Sequence, residues 1–144
     1  MSDLIEHETL DRRHHSQVIA LLHNYFRPYL PKDEDLNQIW DEYFAQPTLR
    51  AIVLIKHNQV VGFGSLLIET KIRGGKMGHI EDVVIDQSCQ GKGYGRKLID
   101  ILIKTAEMEN CYKISLQCKE NNIEFYEKCD FIQSGTAMQK FIDK

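Results

Sequence analysis

Residues 86–96 read Asp-Gln-Ser-Cys-Gln-Gly-Lys-Gly-Tyr-Gly-Arg, between an apolar run ending Val83-Val84-Ile85 and an amphipathic run beginning Lys97-Leu98-Ile99-Asp100. The first run is β-rich. In the second, Leu98, Ile99, Leu102, Ile103 and Ala106 recur at helical spacing, so the stretch reads as a turn from strand into helix. A helix that starts straight after a glycine turn presents unpaired N–H groups and the positive end of its dipole, a site suited to phosphate. Gly91, Gly93 and Gly95 lack the Cβ that would hold a ligand off the backbone, and Lys92 and Arg96 add positive charge. A tight turn that merely caps a helix needs the same glycines, so they do not by themselves separate the two readings.

Outward from this turn the period of the chain alternates. His79–Ile85 reads as the strand entering the turn and Cys111–Cys118 as the strand after the helix, a unit expected to be a parallel, right-handed crossover. Upstream, Ala51–Ile55 and Val60–Ile68 are β-rich runs joined by Lys56-His57-Asn58-Gln59, a hairpin signal. Before them, Val18, Ile19, Leu21, Leu22, Tyr25 and Phe26 predict a helix ended by Pro28 and Pro31. Leu36, Ile39, Trp40, Tyr43 and Phe44 predict a second, whose aromatic stripe reads as core and which Pro47 closes. Downstream, 121–129 predicts a short helix and 131–142 one or two closing strands. A hairpin followed by a crossover implies a mixed central sheet with helices on both faces, an α/β (α+β layered) fold, as one domain over residues 1–144.

Composition narrows the function classes. The 144 residues are 42% hydrophobic and 27% charged with a net charge of -3, the balance of a globular protein. Basic residues are scattered among acidic ones, which argues against nucleic acid as a partner. No apolar run approaches the roughly 20 residues of a membrane span, and the first residues lack the layout of a secretory signal, so a cytoplasmic setting is expected. Cys89, Cys111, Cys118 and Cys129 show neither C-x-x-C nor zinc-finger spacing; they read as reduced thiols, with no metal site. The adjacent His14 and His15 cannot share a helix face and read as a solvated helix start.

The glycine stretch matches neither familiar phosphate loop. It lacks G-x-x-x-x-G-K-[ST], and the dinucleotide fingerprint G-x-G-x-x-G fails because its last glycine falls on Arg96 when counted from Gly91 and on Leu98 when counted from Gly93. It does fit Q-x-x-G-x-G from Gln90 to Gly95, and in this it resembles the diphosphate loop of the GNAT N-acetyltransferases. G-H-I-E-D-V-V-I-D before the loop, C-Y-K-I-S-L-Q-C after the helix and N-x-x-F-Y-E-K-C-x-F near the end extend the resemblance over residues 66–141. In these segments the chain resembles the branch of that family that acetylates glucosamine 6-phosphate, a step towards UDP-N-acetylglucosamine.

The resemblance implies acetyl-CoA as co-substrate, a small amino-sugar phosphate as acceptor and a homodimer. It places the pantetheine arm along Val83, Val84 and Ile85, between strands that splay apart, and the diphosphate against Gln90, Gly91, Lys92, Gly93, Tyr94, Gly95 and Arg96. Asn122 and Lys128 would also meet the cofactor, with the Tyr126 hydroxyl at the sulfur; on a helix Asn122 and Tyr126 share a face. Acetyl transfer to an amine needs a proton acceptor, help for the leaving thiolate and close positioning, with no covalent enzyme intermediate. Glu81 and Asp82 are the acidic candidates by the amine. Neighbours in a strand point to opposite faces, so they can act together only if a bulge breaks the alternation, as it does in the family. Which of the two is the base stays open. Lys71, Arg73 and Lys140 are candidate phosphate ligands, Lys140 reaching a partner's site, and Tyr112, Lys113 and Gln117 lie beside the sugar.

Three features depart from the family pattern. Gln117 replaces an acidic residue, the loop from Lys71 to Gly78 is short, and Asp130 stands where glycine is usual, a change that the left-handed tolerance of Asp accommodates. The first two keep open an acetyltransferase acting on a peptide or another small amine. A catalytically idle acyl-CoA-binding module is the remaining alternative.

Overall fold

The computed structural model describes residues 4–24 and 31–142. The predicted helix positions Tyr25 and Phe26 and the breaker Pro28 lie outside them. In chain order the elements are β1 (Glu6–Thr9), α1 (His15–His23), α2 (Leu36–Phe44), β2 (Leu49–Lys56), β3 (Gln59–Thr70), β4 (Lys76–Ile85), α3 (Tyr94–Met108), β5 (Cys111–Leu116) and α4 (Ile123–Glu127). The strands form one sheet in sequence order, antiparallel from β1 to β4 and parallel between β4 and β5. This is the expected mixed sheet, with α3 and α4 on one face and α1 and α2 on the other.

Each layer follows from its residues. Val53 and Phe63 point to the α1–α2 side, where they meet Val18, Leu21 and Trp40. Leu54, Leu66 and Ile80 point to the other face, against Leu98, Ile99 and Leu102 of α3, and those three helix residues are wholly buried. Burying a Leu or Ile side chain contributes about 1.5–3 kcal/mol, so the α3 face holds much of the fold's cohesion. Gly64 allows this approach, because a Cβ there would meet the Leu102 side chain at 3.1 Å. The hairpin forms as expected, with His57 (φ 51°) and Asn58 (φ 62°) in the left-handed region that a tight primed turn demands. Where the β2–β3 register slips near Ile55, the Val60 N–H donates to Gln17 Oε1 (2.8 Å), which ties α1 to the sheet.

Three expectations are corrected. His14 is buried, not solvated. Its Nδ1 accepts from the Asp11 N–H (3.0 Å) while the Asp11 side chain accepts from Arg13 N, so the pair caps the helical start. The four-residue β1 has no counterpart in the sequence reading, since Glu-His-Glu-Thr carries no apolar alternation and its pairing with β2 alone makes it a strand. Residues 131–142 form no strand among the described residues. Their apolar positions are strand-like, but Ile132 and Met138 are exposed, and a strand requires a neighbour to pair with.

Candidate active site

β4 holds the centre of the site. From Lys76 to Ile80 it pairs with β3 on one side and β5 on the other, but the last β5 pairing is Ile80 with Leu116. From Glu81 to Ile85 it has β3 alone, so the parallel strands part and leave an open backbone edge. Such an edge offers a row of N–H and C=O groups to an extended, amide-containing ligand.

At the same point the ladder with β3 is interrupted. Ser65 pairs with Glu81 and Phe63 with Val84, so Gly64 alone faces both Asp82 and Val83. That extra residue is the expected bulge, and Asp82 takes it up with φ at 55°. Without it, Glu81 and Val84 would lie on opposite faces; with it, both can face the α1–α2 layer. Ser65 Oγ donates to the Glu81 carbonyl (3.0 Å) and so pins the bulge from the neighbouring strand. Asp82 is open to solvent on one side and crowded by protein on the others, and that crowding raises its carboxyl pKa above the ordinary value.

The glycine turn follows. The Asp86 N–H donates to the Val61 carbonyl (2.8 Å), a single 3-10 turn runs from Gln87 to Cys89, and the Gln90 side-chain amide braces the loop by donating to the Ile85 carbonyl (3.3 Å). Gly93 is the cap of α3 in the left-handed conformation (φ 83°), and no side chain caps the helix. A Cβ at Gly91 or Gly93 would meet no protein atom within 4 Å, so those glycines face open space beside uncapped helix N–H groups. Gly95 differs. A Cβ there would lie 3.3 Å from the Phe125 ring, so this glycine seats α4 against α3. Arg96 pairs with Asp100 (3.2 Å), which raises its pKa. Lys92 is exposed.

α4 brings up Tyr126. Its ring packs edge-on against Phe125 (4.9 Å between centroids) and Phe131 (5.9 Å), and its hydroxyl makes no hydrogen bond among the described residues. Burial first, then the neighbouring Cys118 and Cys129, raises its pKa, so the phenol stays protonated. Asn122 is exposed at the start of α4, and Lys128 at its end lies 3.9 Å from Glu124. Asp130 adopts φ 69°. The Phe131 N–H reaches the Tyr126 carbonyl and the Asp130 N–H the Glu127 carbonyl, both at 3.0 Å, a helix end of the kind glycine usually makes.

The candidate phosphate ligands are partly engaged. Lys71 pairs with Glu69 (3.0 Å), which also meets His79 Nε2 (2.9 Å), and His79 Nδ1 meets Ser115 Oγ (3.2 Å). These contacts hold the Glu69 carboxyl below its ordinary pKa. Arg73 donates to the Tyr112 hydroxyl (2.9 Å), while Lys113 sits over the same ring (5.9 Å). Gln117 follows the end of β5 and is exposed. Lys140 makes no hydrogen bond or ion pair among the described residues. Sequence reasoning missed Ser65 at the bulge, although it carries a usable signal, the one hydroxyl in the run Val60–Ile68.

Comparison with known proteins agrees with this architecture. The family model described as acetyltransferase (GNAT) matches residues 16–131. Glucosamine 6-phosphate N-acetyltransferase 1 of Dictyostelium discoideum is 41% identical over 114 residues, covering 76% of this chain and 70% of that protein. Among solved structures, an acetyltransferase of Trypanosoma brucei superposes with a TM-score of 0.88 at 29% identity, covering 96% of this chain and all of that one. Glucosamine-6-phosphate N-acetyltransferase of Arabidopsis thaliana does so at 0.86 and 28%, covering 97% and 99%. With a splayed β4–β5 pair, an uncapped glycine turn and a family match over most of its length, the chain belongs to the acetyltransferase (GNAT) family.

Proposed function

We propose that this protein transfers the acetyl group of acetyl-CoA to the amine of D-glucosamine 6-phosphate, yielding N-acetyl-D-glucosamine 6-phosphate and CoA. The observation that carries this reading is the bulged, half-unpaired end of β4 beside the uncapped start of α3, in a chain whose relatives are named for that acceptor. Bound acetyl-CoA supplies an acetyl group activated as a thioester. The edge of β4 at Val83, Val84 and Ile85, where β5 no longer pairs with it, would hold its pantetheine arm, and the amides from Gly91 to Arg96 its diphosphate; the space at Gly91 and Gly93 fits that load.

Tyr126, kept protonated by burial, donates to the departing sulfur. Glu81 and Asp82 orient the acceptor ammonium and take its proton, directly or through one water. The raised pKa of Asp82 favours it for that task, since a carboxylate of higher proton affinity is the better base. Lys71, Arg73 and Lys113 supply charge for the sugar phosphate, and Tyr112 aims Arg73. The segment 131–142, which forms no strand among the described residues and has Ile132 and Met138 exposed, supports a homodimer in which it pairs with a second copy and carries Lys140 there.

Thiol release from acetyl-CoA, measured with a panel of amines, tests this function. Release with glucosamine 6-phosphate, and neither with glucosamine nor with lysine-containing peptides, is the expected result. Release with peptides alone moves the acceptor to protein amines, and tight CoA binding without release for any amine identifies an idle module. Sedimentation equilibrium of the protein and of a chain ending at residue 131 tests the dimer.

A further inference from the structure

The sheet face that turns away from α3 carries a polar stripe across β3, β4 and β5. Directly paired residues share a face, and so do residues two apart in a strand. Glu69 pairs with Met77, Met77 with Lys113 and His79 with Ser115, so Glu69, His79, Glu81, Lys113 and Ser115 all stand on that face. His79 and Ser115 sit one step before Ile80 and Leu116, the last pair ahead of the fork between β4 and β5. Three of these groups are joined in a chain. Glu69 Oε1 meets His79 Nε2 at 2.9 Å, and His79 Nδ1 meets Ser115 Oγ at 3.2 Å.

The chain has one direction. The His79 contact first, then Lys71, holds the Glu69 carboxyl below its ordinary pKa, so it is a carboxylate and can only accept. Nε2 must therefore carry the proton that it donates. With the ring neutral, Nδ1 has none, so it accepts, and its donor is the Ser115 hydroxyl. That commits the only proton Ser115 has. Lone pairs are what its oxygen has left, and it makes no other hydrogen bond among the described residues. The His79 side chain is 33% exposed, so the chain lies where a small ligand can reach it.

We propose that Ser115 binds a ring hydroxyl of the acceptor sugar by accepting its hydrogen bond, and that Glu69 and His79 position Ser115 so that it can only accept. This deepens, and rests on, the reading that the acceptor is glucosamine 6-phosphate. Lys71 and Arg73 stand in the β3–β4 turn and Lys113 two residues before Ser115; Glu81 stands two residues after His79, at the fork. Two residues along a strand span roughly 6–7 Å. The stripe therefore runs from cations through a neutral acceptor to an acid. A hexosamine phosphate has the matching order: phosphate at one end, amine at the other, and between them ring hydroxyls that can donate. A serine free to rotate could serve as donor or acceptor. The chain behind Ser115 removes that choice and so favours a ligand with a donor at this point.

The test combines Ser115→Ala, Ser115→Thr and glucosamine 6-phosphate analogues that each lack one ring hydroxyl. In the alanine variant the KM for glucosamine 6-phosphate rises about three- to tenfold, with the KM for acetyl-CoA unchanged. Threonine keeps the hydroxyl and restores the wild-type value. One deoxy analogue costs the wild type the same factor and costs the alanine variant nothing further, because both changes remove one bond. The matching fluoro analogue, which can accept but not donate, is as poor as the deoxy compound. Nitrogen-15 shifts of His79 in the free protein read the tautomer, with the proton expected on Nε2. An alanine variant with an unchanged KM for the sugar overturns the proposal. So does a fluoro analogue that binds like the parent sugar, or a neutral His79 ring with its proton on Nδ1. If the wild type acetylates only amines other than glucosamine 6-phosphate, the acceptor assignment fails and the sugar hydroxyl falls with it, while the His79 tautomer still decides whether Ser115 is held as an acceptor.

Discussion

Between Lys76 and Ile80, β4 has a strand on each side, and its inward residues meet the wholly buried Leu98, Ile99 and Leu102 of α3. Between Glu81 and Ile85 the same strand has β3 alone, carries a residue at φ 55° and exposes two acids. The first half is paired on both sides. The second has no strand on its other side and carries a carboxyl shifted by crowding. Groups left unsatisfied within a stable frame are where a ligand can be bound with gain, because the frame bears the cost of holding them open.

If that division holds, substitutions in the two halves should fail in different ways. The largest effect belongs to Leu102→Ala, which empties part of the α3 face and should destabilise the protein by about 2–5 kcal/mol in urea unfolding. A loss under 1 kcal/mol would mean that the frame is not anchored there. Next comes Tyr126→Phe. Turnover should drop on the order of 100-fold while acetyl-CoA affinity and melting temperature stay near those of the wild type. Affinity that collapses while turnover of the bound enzyme does not would make Tyr126 a packing group and erase the contrast.

Gly93→Ala tests the open turn. Its new Cβ meets no protein atom, so the fold should lose only about 1 kcal/mol from the strained φ, whereas acetyl-CoA binding measured by calorimetry should weaken by more than that. Equal losses in both would argue against a cradle. Asp82→Asn should have the smallest effect, and with the opposite sign. Crowding raises the Asp82 pKa in the folded state, so the wild type loses stability as pH rises from the unfolded value through the folded one. Asn carries no charge and tolerates the left-handed backbone. The variant should therefore melt higher at pH 7, with the gap closing as pH falls and vanishing below about 3.9. A variant less stable at pH 7 would place Asp82 among the satisfied groups.

How much of this was legible depended on whether the cause lay within a few residues. The hairpin at His57-Asn58, the parallel pairing of β4 and β5 across α3 and the helix end at Asp130 are set by local backbone chemistry, and all three read correctly. Elements whose partners lie far along the chain did not. β1 becomes a strand through its pairing with β2, His14 is buried because β1 and Asp11 fold onto it, and residues 131–142 form no strand among the described residues despite a strand-like pattern. In the site, the glycines and acids stood out as residue types, but their division of labour did not. That Gly95 seats a ring while Gly91 and Gly93 face open space is a fact of packing between distant segments.

The contact between Gly95 and Phe125 has a mechanical consequence. Phe125 presses its ring onto the turn that would hold the phosphates, and the next residue along is the tyrosine that would meet the sulfur. Those two ends of the cofactor would thus be gauged by one rigid span whose length a single ring contact sets. Any side chain added at position 95 would push that span apart and leave the phenol aimed short of its target, even with every catalytic group intact.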